Sequence, residues 1–233
     1  MDRRPLAILD SGLGGLAIYQ AILTELPQEN ILYLADHAFF PYGAKNPGTI
    51  NRRLLKIMNF FLVNNCKALV IACNTITTNT ISPLRQHYSL PIIGTEPAVK
   101  QGGVVLVTPS TAKSRGYRKL SSQYPVTTIA CPGLAEAIEA GANITDFFPP
   151  IPSGTKTIAL GCTHYILVKD QIQKIVGSQV ALIEPSRAIA CQTRKILTQK
   201  NLLSNSLHPT HEFFTTGDPA KIKNSIIFTS CAL

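Results

Sequence analysis

The sequence has 233 residues, 45% of them hydrophobic and 15% charged, which excludes a disordered chain and allows one large core or two small ones. No apolar run approaches the roughly 18–20 residues that cross a bilayer. The N-terminal stretch Leu6–Leu9 is interrupted by Asp10 before it reaches signal-peptide length, so the expected location is the cytoplasm, with no membrane partner. The formal charge of +9 is dispersed over separate clusters (Arg52, Arg53, Lys56; Lys113, Arg115, Arg118, Lys119; Arg194, Lys195, Lys200) without interleaved stacking aromatics. That pattern argues against nucleic-acid binding as the main function and suits attraction of a small dianionic substrate.

Along the chain, short runs rich in Ile, Val and Leu predict strands at Leu6–Leu9, Ile31–Leu34, Ala68–Ala72, Pro91–Gly94, Val104–Val107, Val126–Ile129, Thr157–Leu160 and Val180–Ile183. Such runs suit strands covered on both faces of a parallel sheet. Helical stretches alternate with them: Leu16–Leu26, Thr49–Asn64, Thr75–His87, Thr111–Gln123, Leu134–Ala140, Tyr165–Ile175 and Arg187–Leu202. The repeated β-α pattern predicts an α/β fold with mainly parallel sheets. Punctuation at Pro91–Gly103 and near His208 divides it into two lobes, 1–95 plus about 208–233, and 96–207. A faint internal repeat supports two similar halves. Ala68 to Thr75 and Thr157 to His164 each read as a strand, a small residue, a cysteine, and then polar or ionisable residues opening a helix.

The six cysteines (66, 73, 131, 162, 191, 231) form no C-x-x-C pair and are expected as free thiols. His164 lies near Cys162 without a second ligand pair, so no metal site is predicted. A cysteine where a strand meets a helix is favourably placed for reactivity, because unpaired N–H groups and the helix dipole stabilise a thiolate. Either Cys73 or Cys162 alone would read as a buried small hydrophobe; their matching contexts favour chemistry. Two thiols facing each other across a cleft can invert a stereocentre, one removing a proton while the other returns one to the opposite face. Thiols start only about 1.5 units above neutral pH, which suits them to both roles.

The turn Asp10-Ser11-Gly12-Leu13-Gly14-Gly15 fits neither G-x-G-x-x-G nor a P-loop, which argues against a nucleotide. Asp10 either orients a thiol or a substrate ammonium group, or caps the helix that follows. In the loop after the second strand, Pro41-Tyr42-Gly43 is either a structural turn or a grip for a carboxylate, through backbone N–H groups and the Tyr42 hydroxyl. His164 is either a hydrogen-bonded structural residue or a proton partner of Cys162.

Together these stretches resemble the glutamate racemase family, which supplies D-glutamate for bacterial peptidoglycan. The resemblance is carried by Asp10–Gly15, Asp36 through Gly43, Ala72–Thr75, Gly161–Tyr165 and Thr215–Asp218, with Ile93–Ala98, Thr108–Ser114 and Cys131-Pro132 in the same order between them. It implies two α/β lobes related by a pseudo-twofold, an active site in the cleft between them, and no metal, pyridoxal phosphate or nucleotide cofactor. By resemblance, Cys73 is the base for D-glutamate and Cys162 the base for L-glutamate, assisted by Asp10 and His164 respectively. The substrate would be held by Asp10, Ser11, Tyr42, Gly43, Asn74, Thr75, Thr163 and His164, with Thr111 as a further carboxylate contact and Glu139 as an aid to protonation. The sequence departs from the family pattern in two compressed stretches, before Val104 and between Glu139 and Cys162, and at Phe39 and Ile166. The expected partner is a small-molecule substrate, glutamate, and a homodimer is left open. Three rival readings stand beside this one: a racemase of aspartate or another acidic amino acid, an inactive binding protein on the same scaffold, and a basic nucleic-acid binder.

Overall fold

The structure, a computed structural model, describes residues 1–221 and 228–233; residues 222–227 of the expected C-terminal tail lie outside that range. Two separate parallel sheets form the framework. The first contains β1 (Leu6–Asp10), β2 (Ile31–Ala35), β3 (Ala68–Ile71), β4 (Ile92–Gly94), β9 (His211–Thr215) and β10 (Thr229–Ser230), in the order β10-β9-β2-β1-β3-β4. The second contains β5 (Gly103–Val107), β6 (Val126–Ala130), β7 (Thr157–Gly161) and β8 (Ala181–Ile183), in the order β6-β5-β7-β8. Every strand pairing in both sheets is parallel.

The period-2 geometry of a strand sorts the apolar runs of the first sheet onto two faces. Leu6, Ile8, Ile31, Tyr33, Ala68 and Val70 pack on one side under α1 (Leu16–Glu25) and α9 (Ser186–Gln199). Ala7, Leu9, Leu32, Leu34, Leu69 and Ile71 pack on the other, under α2 (Pro47–Val63) and α3 (Asn74–His87). Each fully buried Leu, Ile or Phe side chain is worth about 1.5–3 kcal/mol, and β1, β2 and β3 are buried at every position, with the Tyr33 hydroxyl donating to Gly12 O at 3.0 Å. The second sheet is built the same way. Val104, Leu106, Ile158 and Leu160 face α6 (Leu134–Glu139) and α8 (Lys169–Val176), and Val105, Val107 and Ala159 face α5 (Arg115–Ser121).

Four expectations change. The strands at 126–130 and 181–183 are edge strands with exposed positions rather than strands covered on both faces. The helix expected over Thr111–Gln123 is two helices, α4 (Pro109–Lys113) and α5, because Ser114 is extended and its hydroxyl accepts the N–H of Tyr117 at 3.2 Å as a fresh N-cap. The helix expected over Tyr165–Ile175 likewise divides into α7 (Thr163–Leu167) and α8 at Val168. Finally, α9 falls within the stretch expected in the second lobe, yet its Ile189, Ala190 and Leu197 belong to the first sheet's core. The chain returns to the first lobe before strand β9, which pairs with β2.

Candidate active site

In each sheet the chain leaves its first central strand in opposite directions, to β2 and β3 on either side of β1 and to β6 and β7 on either side of β5. Such switch points open a crevice at the carboxyl ends of the strands. Ser11 follows β1, Cys73 follows β3, Thr108 follows β5 and Cys162 follows β7, and all four line one cleft of about 90 Å³ between the lobes. Cys73 is the N-cap of α3 and Cys162 the N-cap of α7, both in extended backbone and both nearly buried. Repetition of the strand–cysteine–helix unit therefore brings two thiols from different lobes to a single cavity.

Their surroundings differ. The Cys73 thiol points to the Ser11 hydroxyl at 3.9 Å. Burial, and then the charge of Asp10, push this thiol well above its ordinary range, with the backbone N–H of Ile76 acting in the opposite sense. The Cys162 sulfur instead lies 3.9 Å from His164 Nδ1. Burial alone would neutralise His164; the Cys162 sulfur and the Glu139 carboxylate override it and hold the imidazole charged well above its usual value. Glu139 Oε2 accepts from His164 Nε2 at 2.7 Å, Oε1 pairs with His37 Nε2 at 2.7 Å, and both oxygens accept from the backbone N–H of Leu13 at 3.2 Å. Burial opposes ionisation of Glu139, but the two imidazoles prevail and lower its carboxyl to about 2.

Most of the residues expected at the site line the cleft. Ser11, Tyr42, Gly43, Asn74, Thr75 and Thr163 do so together with both cysteines and His164. Asn74 Nδ2 donates to Thr95 O at 3.0 Å, while its Oδ1 is buried and has no hydrogen-bond partner. Three of the expected residues are placed differently from the rest. Asp10 does not line the cleft: it is fully buried at the end of β1, and accepts from the N–H of Gly12 at 3.1 Å and the hydroxyl of Thr163 at 3.3 Å. It is therefore a link between lobes, and burial raises its carboxyl despite the opposing charge of His164. Tyr42 lines the cleft, but its hydroxyl is donated to Asp36, whose carboxylate is also held by Arg53 and Thr216, so it has no proton left for a substrate carboxylate. Thr111 lies behind the wall, sharing hydroxyl hydrogen bonds with Thr75 at 3.2 Å and Thr108 at 3.0 Å; Thr75 and Thr108 are the cleft-lining members of that trio.

Sequence reasoning missed Thr108, Phe40 and His37. Thr108 carries the N-cap signal of Thr followed by Pro at the start of α4, which identifies a helix start and not a site. Phe40 lines the cleft and packs on His164 with ring centroids 5.3 Å apart. The glycines of the first turn allow a close approach between the lobes. A Cβ on Gly12 would meet Glu139 Oε1 at 2.7 Å, and one on Gly14 would meet His164 Nδ1 at 2.6 Å and Thr163 Oγ1 at 2.7 Å. Among the described residues no cluster of three or more His, Cys, Asp or Glu could hold a metal ion, and no helix is long and apolar enough to cross a membrane.

No protein-family model matches the chain. It is 38% identical over 240 residues to the glutamate racemase of Stutzerimonas stutzeri, spanning 94% of this chain and 90% of that protein. Among solved structures it superposes on the glutamate racemase of Thermus thermophilus in complex with β-chloro-D-alanine, with a TM-score of 0.86 and 27% identity over 100% of this chain and 99% of that one. The glutamate racemase of Francisella tularensis in complex with D-glutamate gives a TM-score of 0.83 at 27% identity, over 100% and 98% of the two chains.

Proposed function

The chain belongs to the glutamate racemase family and is thus an amino-acid racemase; from that premise we propose that it interconverts L- and D-glutamate without a cofactor, with Cys73 and Cys162 acting on opposite faces of the α-carbon. The observation that carries this reading is the pair of thiols entering one cavity from separate lobes, each at a helix N-terminus. With L-glutamate, the Cys162 sulfur takes the α-proton and the Cys73 thiol delivers a proton to the opposite face. With D-glutamate the roles exchange. A charged His164 beside Cys162 stabilises negative charge on that sulfur, and the Cys73 thiol, pushed up by burial and Asp10, is supplied protonated. The unpartnered Asn74 Oδ1 is an acceptor for the substrate ammonium, and the hydroxyls of Ser11 and Thr75 are donors for its carboxylates. Asp10 acts on the site from behind, through its charge and its hold on Thr163. The D-glutamate formed would serve peptidoglycan synthesis in the cytoplasm.

The test is racemisation of L-glutamate in D₂O with no added cofactor, followed by circular dichroism and by deuterium incorporation at the α-carbon. The expected product is racemic glutamate deuterated at that carbon, with L-aspartate turned over far more slowly. Activity that vanishes on exhaustive chelation and returns with a metal ion would exclude the two-thiol scheme; faster turnover of aspartate would reassign the substrate.

A further inference from the structure

We infer that His37 is a positioning residue for the Cys162 half of the reaction, holding Glu139 across the lobe boundary in the one orientation that pairs it with His164. The inference rests on the two-thiol reading above and concerns a residue that reading does not use. Glu139 stands at the end of α6 in the second lobe, but apart from His164 its partners come from the first lobe: the N–H of Leu13 and the His37 ring. The two imidazoles divide the carboxylate, His164 on Oε2 and His37 on Oε1, each at 2.7 Å.

The far side of the His37 ring is fixed as well. Its Nδ1 lies 2.8 Å from Thr215 Oγ1, and that oxygen already accepts the N–H of Gly217 at 3.0 Å. The arrangement that uses every group has the Thr215 hydroxyl donating to Nδ1, which leaves the proton on Nε2 to face Glu139. His37 then orients the carboxylate through Oε1 and leaves Oε2 to face His164. Phe228 packs edge-on against the same ring, with centroids 6.3 Å apart. Strand β9, far from either cysteine in sequence, thus sets the geometry of a histidine two groups removed from the Cys162 sulfur. The pairing also exists only while the lobes are together, so the Cys162 side is fully equipped only in the closed cleft.

The test compares His37→Gln with His37→Asn. A glutamine amide nitrogen reaches about as far as Nε2 and keeps a donor on Glu139; an asparagine reaches only the Thr215 side. His37→Asn should lower kcat about tenfold with KM changed less than about twofold, and His37→Gln should stay within about threefold of the parent. L- and D-glutamate have equal free energies, so kcat/KM must fall equally in both directions. The direction-specific readout is the primary isotope effect with substrates deuterated at the α-carbon. In His37→Asn it should rise for L-glutamate, whose proton goes to Cys162, and fall for D-glutamate. Equal behaviour of the two variants, or a loss that follows a lower melting temperature with unchanged isotope effects, would overturn the inference. A failure of the two-thiol reading would show separately, as racemisation surviving Cys162→Ser.

Discussion

The two cysteine sites occupy equivalent places in the two lobes and are equipped quite differently. Cys73 has one hydroxyl within reach, Ser11, and a buried carboxyl nearby. Cys162 heads a chain of His164, Glu139, His37 and Thr215 that begins in the second lobe and ends in the first. The repeated strand-end motif accounts for where the sulfurs are, because a parallel sheet delivers every strand's carboxyl end to the same edge. It does not account for their acid/base partners, which come from unrelated segments. Asp10, beside Cys73, even holds Thr163 of the other lobe. Repetition of the strand-end unit thus brings two thiols to one cleft, and unrelated segments give them different neighbours.

The sharpest way to break this comparison is to remove one sulfur at a time. Cys73→Ser and Cys162→Ser should each lower racemisation by at least about 10³-fold, since a serine hydroxyl is far too weak an acid to exchange roles with a thiol near neutral pH. Each variant keeps one working thiol, which can still drive one-way elimination from a glutamate analogue carrying a leaving group at the β-carbon. Cys73→Ser should process the L-analogue through Cys162, and Cys162→Ser the D-analogue through Cys73. Release of the leaving group from each enantiomer measures this. Reversed preference would exchange the two roles, and indifference to enantiomer would remove the opposed-thiol scheme.

A smaller loss should follow from crowding one side only. Gly14→Ala places a methyl 2.6 Å from His164 Nδ1 and 2.7 Å from the His164 backbone nitrogen, so the second lobe must retreat. A displacement near 1 Å in a catalytic constellation can cost about 100-fold, and that is the expected fall in kcat/KM. Gly48→Ala is the control. Its added methyl meets nothing nearer than Asn46 Oδ1 at 3.5 Å, within the first turn of α2, and turnover should be unchanged. Wild-type activity in Gly14→Ala would mean that the lobes need not approach as closely as the structure shows.

Much of this was legible in the sequence, for identifiable reasons. The eight runs read as strands are strands; the central ones are so because continuous Ile, Val and Leu there has no other stable home, while β4, β6 and β8 lie at sheet edges. Strand β9 was read only as part of a tail, since His211-Glu-Phe-Phe-Thr215 is neither an apolar run nor an alternating one, and its pairing with β2 is set by tertiary contact. The break at Ser114 was hidden because a side-chain cap, and not a Pro or Gly at the break itself, competes with the helix there. At the site, the cysteines stood out by repetition of their context. Glu139 entered through family resemblance alone, and His37 and Thr108 gave only the signals of an ordinary loop and an ordinary cap. Residues that act through another side chain leave no spacing pattern, because their partners are distant in sequence: 102 residues separate His37 from Glu139.

The mildest change, Glu139→Gln, sharpens the comparison through pH. Glu139 has its folded carboxyl lowered to about 2, so its ionised pairing is complete above its ordinary value of 4.5 and is lost as pH falls toward 2. His164 is shifted the other way, so its charged form is complete below 6.5 and is lost only as pH climbs through its raised value. Between those limits both members are charged, and the Cys162 side should be insensitive to pH. Glutamine keeps the shape of the carboxylate and removes its charge, which leaves burial to push His164 back toward neutrality. The alkaline limb of the kcat profile should therefore move to lower pH, with a loss of about tenfold at pH 8 and less at pH 6. The Cys73 side has no such imidazole–carboxylate pair among the described contacts, so D-analogue elimination by Cys162→Ser should keep its profile when Glu139→Gln is added. An alkaline limb that stays in place in Glu139→Gln would show that His164 does not depend on Glu139 for its charge, and the asymmetry between the two thiols would then rest on the sulfur–imidazole contact alone.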